Sequence, residues 1–253
     1  MTFSTAKISK AGGRSVNQDC VAELHLADAG CWVVADGLGG HRGGEVASQL
    51  AVGAFLDSFR QTPVCAPDAL TQHIHTCHEA VQGGQNEDHS HASMRTTLVA
   101  LLYCGSSIVW GHVGDARFYH FRNGGIRFQT RDHSVPQTMV AAGDLDPADI
   151  RFHADRSRLL RAIGQPGDVR PTTHSAAEPV QANDAFLLCT DGFWEYVTEV
   201  EMEVALARSN HPRSWLQEMN NTIQSRVSED HDNYSAVGIW GPTRENRPPV
   251  ADQ

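Results

Sequence analysis

Two segments of the chain run an apolar stretch into the same dipeptide: Trp32-Val-Val-Ala-Asp36-Gly37 and Phe186-Leu-Leu-Cys-Thr-Asp191-Gly192. A buried strand ending in aspartate delivers a carboxylate to a fixed point on a sheet rim, and the glycine after it lets backbone approach a ligand closely. Asp-Gly is also a favoured hairpin turn. Here, however, each one leads toward a helical pattern instead of a returning strand. Three further aspartates fall at similar junctions: Asp115 after Gly114, Asp232 ahead of the last apolar run, and Asp19 after Asn17-Gln18, with Arg14 upstream. Taken singly, each is an ordinary turn or cap position. Taken together, Asp19, Asp36, Asp115, Asp191 and Asp232 all stand at strand ends. Carboxylates that converge raise one another's pKa values unless a cation neutralises them. An all-oxygen site favours Mg²⁺ or Mn²⁺ over zinc. Two such ions about 3.5–4 Å apart make water nucleophilic enough for in-line attack on phosphorus, with no protein nucleophile required. Arg14 either grips a phosphate with its planar fork or forms a surface ion pair; spacing leaves both open.

The elements that would carry these residues are legible from periodicity. Residues 21–26 alternate polar and apolar, as a half-buried strand does, and 31–35 is a short buried-strand run. Helices are expected over 45–60 and 67–82, the second opening on Pro67, with Leu70, Ile74, Cys77 and Val81 at helical spacing. Strands follow at 97–103, 108–112, 117–121 and 126–129, the last two joined by the turn Asn123-Gly124-Gly125. Helices are expected at 135–142, 157–163, 199–208 and 212–226, with strands at 185–189 and 235–240. Paired helices between groups of hairpin-linked strands predict antiparallel sheets covered by helices, not a doubly wound parallel sheet.

Composition narrows the class. With 253 residues, 20 Lys plus Arg, 30 Asp plus Glu and a formal charge of −10, the chain is an ordinary globular one whose acidity argues against nucleic acid or an anionic membrane as main partner. The longest apolar run, 98–104, is far short of a membrane span of roughly 20 residues. The N-terminus has no apolar signal core, which predicts a cytoplasmic location. The six cysteines form no Cys-x-x-Cys pair, and Cys31, Cys104 and Cys189 sit in apolar runs where a free thiol acts as a small hydrophobe. Residues 242–253 read as a polar, proline-containing mobile tail after a single domain spanning 1–241.

At these residues the chain resembles the metal-dependent protein phosphatases (the PPM family, type 2C). Arg14-Ser-Val-Asn17-Gln-Asp19 resembles the opening motif. Val34-Ala-Asp36-Gly37-Leu-Gly-Gly40-His41 with Gly44-Glu45 resembles the metal-binding turn and following helix. Arg95-Thr96-Thr97 resembles the central Gly-Thr-Thr strand, and Gly114-Asp115-Ala116-Arg117 resembles Gly-Asp-Ser-Arg. Thr130-Arg-Asp132-His133-Ser134, Cys189-Thr190-Asp191-Gly192-Phe-Trp194 and Asp232-Asn233 complete the order over residues 7–240.

The resemblance implies an α+β fold, a four-layer α-β-β-α sandwich with metals at one end. It implies that Asp36 bridges two core ions, Mn²⁺ or Mg²⁺, with the Gly37 carbonyl beside it. Asp191 and Asp232 would complete the second ion, and Asp115 with Asp191 would hold a third, weaker one. Asp19 would orient water and Arg14 would hold the substrate phosphate. The substrate would be a phosphoserine or phosphothreonine protein, its phosphorylation the work of a cognate kinase. Leu38 stands where animal members carry a histidine viewed as leaving-group acid, so His41 becomes a candidate for that role. Ala116 replaces serine, and Gln18 replaces a frequent glutamate.

Met94-Arg-Thr-Thr97, Trp110-Gly-His-Val-Gly-Asp115, Asp132-His-Ser-Val-Pro-Gln137 and 155–164 are similar to phosphatases encoded with bacterial type VI secretion systems. The stretch 143–168 falls at the family's variable flap, where Arg156 and Arg158 could recruit a phosphorylated segment or form a solvated helix face. His73, His75, His78, His89 and His91 are expected to be surface histidines. A serine nucleophile at Ser134 is unsupported, since no Gly-x-Ser-x-Gly elbow occurs. The rival functions are a non-catalytic binding module on the same fold and a phosphatase for a small metabolite.

Overall fold

The apolar run at 31–35 lies within β3 (Ala29–Leu38), and its alternating side chains serve two different cores. Cys31, Val33 and Ala35 face the helices α1 (Gly43–Gln61) and α2 (Pro67–Glu87). Trp32 and Val34 point the other way, into a layer shared by two sheets. A strand buried on both faces reads as continuous apolar sequence, which is why this run shows no alternation. The structure, a computed structural model, describes residues 2–39, 43–87, 89–176 and 179–241. The expected tail 242–253 lies outside the described residues.

The first sheet has the order β2 (Asp19–His25), β3, β5 (Leu98–Cys104), β6 (Ser107–Val113) and β9 (Thr172–Ser175), with β4 (Arg95–Thr96) paired to the end of β3. The second has the order β1 (Ser4–Lys10), β11 (Tyr234–Trp240), β10 (Asp184–Cys189), β7 (Arg117–Arg122) and β8 (Gly125–Gln129). Every pairing is antiparallel. Val99, Leu101, Phe118, Phe186, Leu188 and Ile239 fill the space between the sheets. The outer face of the second sheet is covered by α5 (Glu199–Arg208) and α6 (Pro212–Arg226), through Met202, Leu206, Trp215, Leu216 and Ile223. The four layers are therefore helix, sheet, sheet, helix: the antiparallel sheets covered by helices that periodicity predicts, in the layering that the resemblance implies.

Helix ends follow local chemistry. Ser134 caps α3 (Val135–Ala142), accepting from the Gln137 N–H, and Gly143 closes it at φ 84°. Thr198 and Glu201 form a reciprocal capping box on α5. The turn before β8 uses positive φ at Asn123 and Gly124, as its sequence predicts.

Three expectations fail, and two strands go unread. Residues 157–163 are not helical: Leu159 bridges to Ser134 and Ile163 to Thr96, so their spacing reflects two separate extended contacts. Cys104 is not a free thiol; it is disulfide-bonded to Cys65 across the end of β5. His73 and His78 are buried, not on the surface. His73 Nδ1 lies 2.7 Å from the Ser58 hydroxyl, and His78 bonds the Gly167 carbonyl and accepts from the Gly164 N–H. β1 and β9 are edge strands with little apolar content, and periodicity alone does not register them.

Candidate active site

The register of β2 against β3 sets Asp19 directly opposite Asp36. The Asp36 backbone is then pinned on its other side. Its carbonyl accepts from the Thr97 N–H and the Thr96 hydroxyl, each at 2.8 Å, and its own N–H donates to Thr97 Oγ1 at 3.1 Å. Gly37 passes so close to Gly44 that a Cβ on it would lie 2.0 Å from the Gly44 carbonyl oxygen, which is why that position takes no side chain. From the second sheet, β10 runs into Thr190 and the short α4 (Asp191–Trp194). Thr190 does not cap that turn. Its hydroxyl donates to Asp19 Oδ2 at 3.0 Å and accepts from the Ser235 N–H at 2.9 Å.

Asn233 locks the last edge of the rim. Its Oδ1 accepts from the Gln18 N–H at 2.8 Å, and its Nδ2 donates to the Ala11 and Val16 carbonyls at 2.8 and 2.9 Å. The loop carrying Arg14 is thereby held against Asp232, to which Arg14 donates at 3.3 Å. Behind the rim, the buried Arg117 guanidinium makes a bidentate pair with Asp132 at 2.9 and 2.8 Å and stacks 3.4 Å over Trp194. Trp194 in turn donates to the Asp115 carbonyl at 3.0 Å. This chain of contacts fixes Asp115 relative to α4.

Arg14, Asp36, Gly37, Asp191 and Asp232 line one cleft of about 520 Å³, together with Leu38, Ser157 and Asn233. Asp19 and Asp115 are buried beside it. The electrostatics are those of crowded carboxylates, with Arg14 paired to Asp232 at the rim. Burial, then Asp191, Asp19 and Asp115, push Asp36 well above the usual carboxylate range. Asp191 is raised by burial and Asp232, and Asp115 by burial, Asp191 and Asp132. Asp19 is raised to about 7 by burial and Asp191, against hydrogen bonds from Ser235 and Thr190 that favour its charge. Glu195, on the same side, is raised to about 7 by burial and Asp191.

These residues fit divalent cations. The donors are all oxygen, the Asp191 charge helps hold Asp36 well above its ordinary range, and Asp19 Oδ1 is buried with no partner among the described residues. No group of three or more His, Cys, Asp or Glu side chains stands at metal-ligand spacing among the described residues. An ion here therefore relies on backbone carbonyl and solvent oxygens as well as carboxylates.

The remaining candidates are less central. His41 lies outside the described residues. Arg156 is paired with Glu195 at 2.8 Å and Arg158 with Asp155 at 3.3 Å, and neither lines the cleft. Arg151 is buried, bonded to Glu199 and to the Trp194 and Val197 carbonyls, so it adds no charge to the flap surface. Thr190 and Asn233 are positioning residues that sequence reasoning treats only as motif neighbours. The one available signal is chemical: an asparagine just ahead of a buried strand can satisfy an N–H and two carbonyls at once.

The family model for protein phosphatase 2C matches residues 9–231. The chain belongs to the protein phosphatase 2C family. It is 35% identical over 176 residues to the serine/threonine phosphatase stp of Listeria welshimeri, covering 68% of this chain and 69% of that one. The solved catalytic domain of the serine/threonine phosphatase PstP in complex with two manganese ions superposes with a TM-score of 0.79 at 27% identity, covering 94% of this chain and 97% of that chain. PppA, described as a regulatory component of the type VI secretion system in Pseudomonas aeruginosa, superposes with a TM-score of 0.76 at 27% identity, covering 95% and 98% of the two chains. The family assignment agrees with the motif order in the sequence and with the helix-sheet-sheet-helix layering.

Proposed function

We propose that this chain is a divalent-cation-dependent phosphatase that removes phosphate from phosphoserine and phosphothreonine in proteins. The observation that carries the reading is the convergence of Asp36, Asp191 and Asp232 with Arg14 on one cleft, in a chain of the protein phosphatase 2C family. Asp36, the Gly37 carbonyl, Asp191 and Asp232 would hold two core ions, Mn²⁺ or Mg²⁺, with Asp115 and Asp191 available to a third. Bound there, such ions make water nucleophilic near neutral pH and offset charge developing on the phosphoryl oxygens.

The chain's own residues do the rest. Arg14, exposed at the cleft mouth, binds two phosphate oxygens through its planar fork and so orients phosphorus toward the buried carboxylates. Asp19, held by the Thr190 hydroxyl and with its Oδ1 buried and unpartnered among the described residues, is placed to orient the attacking water. Two side chains that could have served as nucleophiles are set aside by their surroundings: Ser134 is buried as a helix cap, and burial pushes the Cys31 thiol up to about 12. Ser157 belongs to the 143–168 segment and lines the cleft, which supports reading that segment as a flap over the site.

The likeness to PppA supports a bacterial setting in which this chain opposes a serine/threonine kinase, with type VI secretion as the proposed context and the cytoplasm as the proposed location. Among the described residues, no helix is long and apolar enough to cross a membrane. The deciding experiment is hydrolysis of a phosphothreonine peptide with Mn²⁺, with Mg²⁺ and with chelator. Turnover that needs the ion and vanishes in Asp36→Asn and Asp191→Asn is expected. Metal-independent turnover, or near-full activity in either variant, refutes the assignment.

A further inference from the structure

A second depression of about 470 Å³ adjoins the catalytic cleft, sharing Leu38, Gly39 and Ser157 with it. Its charge is unlike that of its neighbour. Arg95 and Arg161 line it, and among the described residues no acidic one does. Arg95 sits on the two-residue β4, paired in register with Leu38, and is exposed. Among the described residues, its guanidinium meets no carboxylate and makes no hydrogen bond. Arg161 is held in place without being neutralised: one amino group donates to the Arg170 carbonyl at 3.1 Å and lies 3.2 Å from His133 Nε2. Burial, then His112 and Arg161, hold His133 down at about 3, so the ring is neutral near neutral pH: its Nδ1 accepts from the Gly114 N–H at 3.2 Å and its Nε2 lies 2.9 Å from Thr172 Oγ1. Two cations without counter-ions therefore stand beside a cleft crowded with carboxylates, in a chain of net charge −10.

We infer that this groove receives a second phosphate, carried on a residue flanking the one being hydrolysed, so that the preferred substrate is a doubly phosphorylated segment. The inference rests on the proposed phosphoprotein activity and deepens it. Three observations support the occupant. The groove adjoins the catalytic cleft along Leu38, Gly39 and Ser157, so a peptide seated with one phosphate at Arg14 can lay a flanking residue into it. The open Arg95 guanidinium, beside an Arg161 that is hydrogen-bonded but meets no carboxylate among the described residues, matches a dianionic phosphate, which accepts bidentate bonds from guanidinium. At position 95, where the motif it resembles has glycine, this chain has placed a cation at the junction of the two depressions.

The test compares kcat/KM, with Mn²⁺, for one phosphothreonine peptide in three forms: singly phosphorylated, with phosphoserine walked through the flanking positions, and with glutamate at those positions. Each is measured on the unaltered chain, Arg95→Ala and Arg95→Gln. The readout is the ratio between peptides within each enzyme, so a general loss of activity does not enter. At one flanking position the doubly phosphorylated peptide is expected to be favoured by about tenfold, the worth of one partly exposed charge-assisted pair. That ratio should fall to near one in both variants. A ratio near one in the unaltered chain, a ratio that survives Arg95→Ala, or an equal gain from glutamate overturns the inference. Failure to hydrolyse even the singly phosphorylated peptide sinks the proposed function instead, and so is distinguishable.

Discussion

Replacing Asn233 with alanine tests whether the rim is held together as described. The side chain is buried and makes three hydrogen bonds, one to the Gln18 N–H and two to the Ala11 and Val16 carbonyls. Each is worth about 1 kcal/mol net, and water entering the vacated space recovers part of it, so the loss is roughly 2–3 kcal/mol. In a chain of this size about 1 kcal/mol moves Tm by about 2–4 °C, which predicts a fall of roughly 4–12 °C. The functional effect should exceed the thermal one at the substrate step, because the freed loop carries Arg14. KM for a phosphopeptide is expected to rise more than kcat falls. Asn233→Asp is the sharper control. It keeps the acceptor for Gln18 but turns a carboxylate oxygen toward two carbonyls and sets a second negative charge beside Asp232. It should therefore be at least as damaging as alanine. Differential scanning calorimetry and steady-state kinetics at saturating Mn²⁺ decide the matter. A Tm within about 2 °C of the unaltered chain with unchanged KM would refute the positioning role.

The other predictions concern charge and covalent links. Asp36 and Asp19 have folded-state pKa values above the 3.8 of an ordinary aspartate, so the folded chain binds more protons than the unfolded one between those values. Metal-free protein should accordingly lose stability as pH rises from about 4 through 7, and Asp36→Asn should flatten that slope; a metal-free Tm that climbs over this window contradicts the crowded-carboxylate account. Adding Mn²⁺ should raise Tm more at pH 7 than at pH 5, which a pH series of melts will read directly. Arg117→Met strands Asp132 in the core and should cost about 3–5 kcal/mol, measurable by urea unfolding. Thiol titration of the unreduced, denatured chain should find the four free cysteines Cys20, Cys31, Cys77 and Cys189, and reduction should expose Cys65 and Cys104; finding all six without reductant would refute the link. Replacing Arg156 and Arg158 should raise KM for a phosphoprotein more than for a small aryl phosphate; equal effects would remove the flap from substrate recruitment.

Legibility of the fold varied with burial. The central strands β3, β5 and β10 are apolar runs that only a two-sided core explains, and α3, α5 and α6 begin and end at the residues their caps and prolines predict. The edges were harder. β1 has Lys7, Ser9 and Lys10 facing outward and gains its strand character from pairing with β11, a partner more than two hundred residues away that no local pattern reports. Residues 157–163 show the converse error, since apolar spacing of four fits a helix but here serves two unrelated bridges. For the site, aspartates at strand ends were visible because chemistry restricts what can sit there. Thr190 and Asn233 were not, because their value lies in reach across to other strands. The two-arginine groove was equally hidden, since Arg95 and Arg161 are far apart in sequence and are brought together by the bridge between Thr96 and Ile163.

Gln18 has a consequence for how this enzyme can vary. Its N–H is taken by Asn233 of the second sheet, while its carbonyl accepts from Gly37 of the first sheet at 3.2 Å and from the Ser48 hydroxyl of α1 at 2.6 Å. One residue's backbone thus rivets three layers at the catalytic edge. Any slippage between the sheets is transmitted to the carboxylates before the interior loosens, so drift elsewhere in the sandwich is quickly felt as lost turnover. Backbone rivets also depend little on side-chain identity. New substrate preferences are therefore expected to arise in the outer loops and the arginine groove, with the seam at Gln18 left in place.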